Sequence, residues 1–177
     1  LKPGARPLDR DATAMISPVD GTVSQAGPIR DGRIVQAKGI DYSAEELLGG
    51  DATAFKNGNF TTIYLAPYNY HRIHMPVTGS LREWSLVPGQ LFSVSPGTVR
   101  ALPRVFSRNE RLCAIFDTPR GPIAMVLVGA LFVGGIETVW SGAVTPPHTD
   151  QGGHYQTASP VSLERGVEMG RFNMGST

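Results

Sequence analysis

Pro122-Ile-Ala-Met-Val-Leu-Val-Gly-Ala-Leu-Phe-Val-Gly-Gly-Ile136 is the stretch that comes closest to a membrane span, and its reading decides the fold. A helix that crosses a bilayer needs about 20 consecutive apolar residues. This run is shorter and is interrupted by glycine, so it reads as buried strands with a bend at Gly134-Gly135. Just upstream, Arg111–Phe116, a turn at Thr118-Pro-Arg-Gly121, and Ile123–Val128 together predict a β-hairpin. The 177 residues contain 21 glycines and 14 prolines with 41% hydrophobic residues, a composition of many short strands rather than long helices. A mainly β chain with one or two short helices is expected, long enough for one domain with a substantial core.

The remaining elements fit that class. Arg33–Ala37, Phe60–Leu65 and Ile136–Trp140 read as strands, Gly79–Val87 alternates before ending at Pro88-Gly89, and Leu91–Val94 reads as a further short strand. Ser43–Leu48 is the clearest helix, with capping-box spacing between Ser43 and Glu46 and a left-handed stop at Gly49. Asp20-Gly21 lies between two short apolar pieces and reads as a tight turn. The polar, glycine-rich segment from Thr145 to about Pro160 reads as a mobile loop.

A formal net charge of +1 argues against a nucleic-acid partner. The lone Cys113 cannot make an intrachain disulfide, which favours a reducing compartment. No secretory signal stands at Leu1, and the opening Leu-Lys-Pro-Gly-Ala-Arg-Pro reads as the middle of a longer chain, which leaves room for a membrane-associated segment upstream.

Five groups of residues are candidates for chemistry. His71 and His74 lie three apart between a strand and a proline. A metal pair, a satisfied structural pair and acid–base work are all open, and no third metal ligand is marked; His148 and His154 fall in the polar loop. In extended chain their rings point to opposite sides, so they should do different jobs. Asp20 is either a turn former or a carboxylate displayed at a strand end. Arg100, Arg104, Arg108 and Arg111 make either a solvated basic face or a phosphate-binding patch. Glu137, in apolar company, needs a hydrogen-bonding partner. Finally, Gly175-Ser176-Thr177 is ordinary loop composition, yet a serine hydroxyl can attack the carbonyl before it when a base takes the proton, and glycine there leaves room for the attack.

Read together, Ser17-Pro-Val-Asp-Gly21, Gln36-Ala-Lys-Gly39, Tyr70-His-Arg-Ile-His-Met-Pro76, Val87–Val94, Phe106–Arg111, Val128-Gly-Ala130, Ile136–Trp140 and Glu168–Thr177 resemble, in order along almost the whole chain, the bacterial phosphatidylserine decarboxylases. Met174 stands where that family commonly has leucine. The resemblance implies a β-sandwich or barrel-like fold related to lipoyl and hybrid-motif domains. It implies a single decarboxylase domain over residues 1–177, forming the β-chain portion of a self-cutting proenzyme whose amino-terminal membrane-associated segment and most of whose α chain lie outside this sequence. It implies cleavage between Gly175 and Ser176, with Ser176 becoming a pyruvoyl cofactor and no metal required. Asp20 and His74 are then the orienting carboxylate and the base for self-cleavage, with Asp20 holding the His74 tautomer, and His71 serves decarboxylation. Phosphatidylserine, the α chain from the same precursor and a membrane surface are the implied partners of a homodimer on the cytoplasmic face of the inner membrane. Trp84, Leu91 and Phe92 are candidates for contact with the lipid. Rival readings are a pyruvoyl-dependent decarboxylase of a soluble amino acid, a non-catalytic β carrier or scaffold, and a metal hydrolase using the two histidines.

Overall fold

The computed structural model describes residues 4–145, 152–157 and 159–173. In chain order its elements are β1 (Thr22–Pro28), β2 (Arg33–Ala37), β3 (Ile40–Ser43), α1 (Ala44–Leu48), β4 (Asn59–Tyr64), β5 (Arg72–His74), β6 (Gly79–Val87), α2 (Pro96–Ala101), α3 (Val105–Arg108), β7 (Arg111–Thr118), β8 (Gly121–Val128), β9 (Gly135–Thr138), β10 (Gly142–Ala143), β11 (Gly153–Tyr155), β12 (Ser162–Leu163) and β13 (Glu168–Asn173). One sheet has the order β10-β9-β13-β5. A second runs β11-β6-β7-β8, with β12 also on β6, and β1-β4 and β2-β3 form separate two-stranded ribbons. The chain is mainly β, as its composition predicts; the sheets are open rather than closed into a barrel, and three short α-helices appear among the described residues instead of one or two. Among those residues no helix is long and apolar enough to cross a membrane.

The layers explain the apolar stretch. One hydrophobic cluster joins Ile73, Met75, Ile136 and Met169 of the β9-β13-β5 side to Leu112, Phe116, Met125 and Leu127 of the β6-β7-β8 sheet. A second cluster lies on the opposite face of that sheet, where Cys113, Val126 and Val128 meet Ile34, Tyr42, Leu48, Val105 and Phe106. Because side chains alternate along a strand, β8 feeds both clusters and has no solvent face that would call for polar residues. The β7-β8 hairpin pairs in unbroken register from Arg111↔Val128 to Thr118↔Gly121. The bend after β8 falls at Ala130–Val133, whose backbone groups bond each other, one step before Gly134-Gly135. Gly135 is instead needed for close packing: a Cβ there would lie 3.0 Å from the Asn173 carbonyl oxygen on β13.

Polar side chains complete what the strands leave open. Helix α1 has its full capping box, the Glu46 amide donating to Ser43 Oγ at 2.9 Å and the Ser43 amide to Glu46 Oε2 at 3.0 Å, and Gly49 ends it at φ 69°. The expected strand at Leu91–Val94 does not form. The fully buried Asn109 amide takes the backbone N–H and C=O of Phe92 at 3.1 and 2.8 Å, doing the work of a neighbouring strand. Gln36, 1% exposed, donates to the Val99 and Leu102 carbonyls and accepts from the Val105 amide, tying α2 to α3. Of the arginines read as a basic face, Arg111 is buried. Its guanidinium donates to the carbonyls of Glu46, Leu47, Ser107 and Asn109 at 2.6–2.8 Å, closing the carboxyl end of α1.

Two stability outcomes follow. Arg111→Ala leaves four carbonyls, one buried and three half-buried, without their charged donor and should cost about 3 kcal/mol in urea unfolding; an unchanged midpoint would show that water replaces the guanidinium. Glu137 finds its partners in Asn173 and Arg171. The Asn173 amide and then the Arg171 guanidinium hold its carboxyl below the usual range, with burial opposing them. A carboxyl depressed in the folded state stabilises above its unfolded pKa of about 4.3 and loses that contribution as pH falls through the folded value. The melting temperature should therefore drop on acidification below about pH 4, and less steeply in Glu137→Gln.

Candidate functional site

β13 lies between β9 and β5, antiparallel to both, with Glu168 opposite His74 and Arg171 opposite Arg72. Arg72 donates to both Glu168 oxygens at 2.7 and 2.6 Å, which ties the two strands in this register. Gly170 permits the approach to β9, because a Cβ there would sit 2.6 Å from the Glu137 carbonyl oxygen. The strand ends its described course at Asn173, just past Phe172, whose amide donates to the His71 carbonyl at 3.0 Å. Gly175 and Ser176 lie outside the described residues, as does His148.

The segment before β1 flanks β5 on its other side. The Ile16 amide donates to the Pro76 carbonyl at 3.1 Å and the His74 amide to the Pro18 carbonyl at 2.9 Å, which brings Asp20 into the charge field of His74. Gly21 follows because the backbone of β4 lies against it. A Cβ there would lie 2.6 Å from the Tyr64 carbonyl oxygen, so close approach rather than a positive φ explains the Asp-Gly pair.

His71 and His74 have different neighbours, as the strand period requires. His74 Nδ1 donates to the Gly166 carbonyl at 2.8 Å, while Nε2 meets the Tyr70 hydroxyl at 3.1 Å; the two rings stack with centroids 5.8 Å apart. A carbonyl can only accept, so Nδ1 carries a hydrogen, and in the neutral ring Nε2 presents its lone pair. His71 Nε2 donates to the Ala66 carbonyl at 3.1 Å, and its ring stands edge-on to Phe172 with centroids 6.3 Å apart. Its Nδ1 is buried and has no hydrogen-bond partner among the described residues.

Asp20 is gripped by Arg6, whose Nε donates to Oδ2 at 2.6 Å. This hydrogen bond, opposed by burial and assisted by the charges of Arg6 and His74, holds the carboxyl below its usual range. The tautomer of His74 is thus set by the Gly166 carbonyl rather than by Asp20, which acts on the ring through space. Among the described residues no group of three or more His, Cys, Asp or Glu is assembled as a metal site.

The three residues considered for lipid contact do not share one surface. Trp84 is 8% exposed in the core between the sheets, its ring stacked on Tyr155 at 4.4 Å. Phe92 packs against the other core beneath the Arg108 guanidinium at 4.8 Å, and Leu91 covers Gly129. A cavity of about 250 Å³ beside Trp84, lined by Asp51, Arg82, Cys113 and His154 among others, has none of its lining residues in common with the histidine cluster.

Arg6, Tyr70 and Gly166 belong to the cluster without having stood out in the sequence. Only Tyr70 carried a signal, through its place beside His71. The sequence matches the family described as phosphatidylserine decarboxylase over residues 1–177. It is 56% identical over 181 residues to a phosphatidylserine decarboxylase proenzyme of Bordetella avium, covering 100% of this chain and 62% of that protein. It is 58% identical to one of Shewanella amazonensis over 184 residues and 57% identical to one of Pseudomonas putida over 183, again across 100% of this chain and 64% of each relative. The chain therefore spans a little under two thirds of the length of these relatives, and it belongs to the phosphatidylserine decarboxylase family.

Proposed function

We propose that this chain is the histidine-bearing portion of a self-cleaving, pyruvoyl-dependent decarboxylase that converts phosphatidylserine to phosphatidylethanolamine and carbon dioxide. The observation that carries the reading is the pairing of β13 with β5, which runs the chain toward Gly175-Ser176 alongside His71. Two residues, Met174 and Gly175, separate Asn173 from Ser176, and the three Cα–Cα steps between them span at most about 11 Å. The relatives named as proenzymes support the self-processing part of the reading.

In self-cleavage His74 acts as the base. Its Nε2 lone pair takes the Ser176 hydroxyl proton as that oxygen attacks the Gly175 carbonyl carbon. The Gly175–Ser176 C–N bond breaks, the freed nitrogen takes the proton, and an ester remains. Loss of the Ser176 Cα proton and cleavage of the Cβ–O bond release Gly175 as a carboxylate and leave dehydroalanine. Water converts this to a pyruvoyl group and ammonia. Asp20 stabilises the imidazolium through space while Arg6 keeps the carboxylate ionised and in place.

The buried, unpartnered Nδ1 of His71 fits a neighbouring reactive group, since an acceptor left without a donor in a native structure calls for an explanation. The pyruvoyl group, when present, supplies a carbonyl that draws off the electron pair released with carbon dioxide. Once its Nδ1 has taken up a proton from water, His71 would pass that proton to the carbon that loses the carboxylate, with Phe172 edge-on to its ring. In this reading the working unit includes the α chain from the same precursor. It forms a homodimer and meets its lipid at the cytoplasmic face of the inner membrane, with residues 1–177 forming one decarboxylase domain.

In the full-length protein, Ser176→Ala should remain a single uncut chain on denaturing gels. His71→Ala should cut itself but release no carbon dioxide from phosphatidylserine vesicles. Normal cutting of Ser176→Ala, or full decarboxylation by His71→Ala, would contradict these assignments.

A further inference from the structure

The hydroxyl of Tyr70 has a place in the site that neither strand pairing nor the core requires. Tyr70 and His74 are four apart, a spacing that extended chain would hold well apart. A turn folds them together. The Asn69 amide donates to the Ala66 carbonyl at 2.9 Å and the Ala66 amide to Asn69 Oδ1 at 2.7 Å, and His71 Nε2 joins the same carbonyl. Tyr70 is thereby folded back over His74, ring on ring, at an interplanar angle of 19°.

The hydrogen-bond roles are then forced. With Nδ1–H committed to the Gly166 carbonyl, Nε2 of the neutral ring that a base requires can only accept, and the Tyr70 hydroxyl donates to it. We propose that Tyr70 is the positioning residue of self-cleavage, its O–H fixing the His74 ring and occupying the Nε2 lone pair until the serine hydroxyl displaces it as donor and the serine proton is transferred. This rests on the reading of His74 as the base. The groups around the pair are Arg6 and Asp20 from the amino-terminal segment, Arg72 on β5 itself and Glu168 on β13. The ring alone would preserve the stacking; only the hydroxyl can hold the lone pair.

The test uses the full-length proenzyme, freshly refolded, with self-cleavage followed on gels as a function of pH. Tyr70→Phe keeps the ring, so cleavage should slow about 10- to 100-fold, and the acid limb of its rate profile should move to higher pH because donation to the neutral imidazole is lost. A wild-type rate with a superimposable profile would overturn the proposal. His74→Ala separates the two levels: if it stays uncut while Tyr70→Phe behaves as wild type, the base stands and the positioning role falls. If His74→Ala cuts normally, the base assignment falls and the proposal with it. Should Tyr70→Phe not fold, imidazole 15N shifts of His74 in the uncleavable Ser176→Ala chain decide the matter at neutral pH. Protonated Nδ1 with bare Nε2 supports the proposal, and protonated Nε2 overturns it.

Discussion

The antiparallel pairing of β13 with β5 is the constraint on which the site depends. β5 is only three residues long and lies at the edge of its sheet, so its position is held by both neighbours: β13 on one side and the Ile16–Pro18 segment on the other. Register matters because a slip of one residue would turn every side chain to the opposite face. Three features resist such a slip. The Arg72–Glu168 and Arg171–Glu137 pairs lie across successive strands, and Gly170 fits under the Glu137 carbonyl where any side chain would collide. In that register His71 faces Phe172, and His74 faces Tyr70 and Gly166.

Behind this edge stands a sheet covered on both faces. The β6-β7-β8 sheet separates two cores, and the ribbons and short helices form the outer layer. Where strands do not complete the backbone pairing, buried polar side chains do: Asn109 for Phe92, Gln36 for the junction of α2 and α3, Arg111 for the end of α1. Each is satisfied by several groups at once, as burial of a polar residue demands. Their combined effect is to hold irregular segments of chain as firmly as a sheet would.

The parts of the fold that could be read from sequence were those governed by local rules. The β7-β8 hairpin and the capped helix α1 follow from alternation, turn chemistry and the Ser43–Glu46 spacing, and the structure shows both. Helix α2 had a comparable signal in Ser95-Pro96, a cap followed by proline at the first helical position, which the arginine pattern obscured. Leu91–Val94 has strand composition but spends its pairing on Asn109, a partner 17 residues away from Phe92 that no local window contains. The site divides in the same way. Asp20, His71 and His74 announce themselves by residue type and neighbours in sequence. Arg6 and Gly166 enter only because the fold brings 14 residues of upstream chain back to Asp20, and carries Gly166 across 92 residues to His74.

Intact mass spectrometry of the full-length wild-type protein, before and after borohydride reduction, addresses the chemistry most directly. The proposed self-cleavage predicts two chains: one ends in Gly175, and the other begins at position 176 with a carbonyl that gains two hydrogens on reduction. A single mass equal to the uncut sequence, unaltered by borohydride, would contradict it.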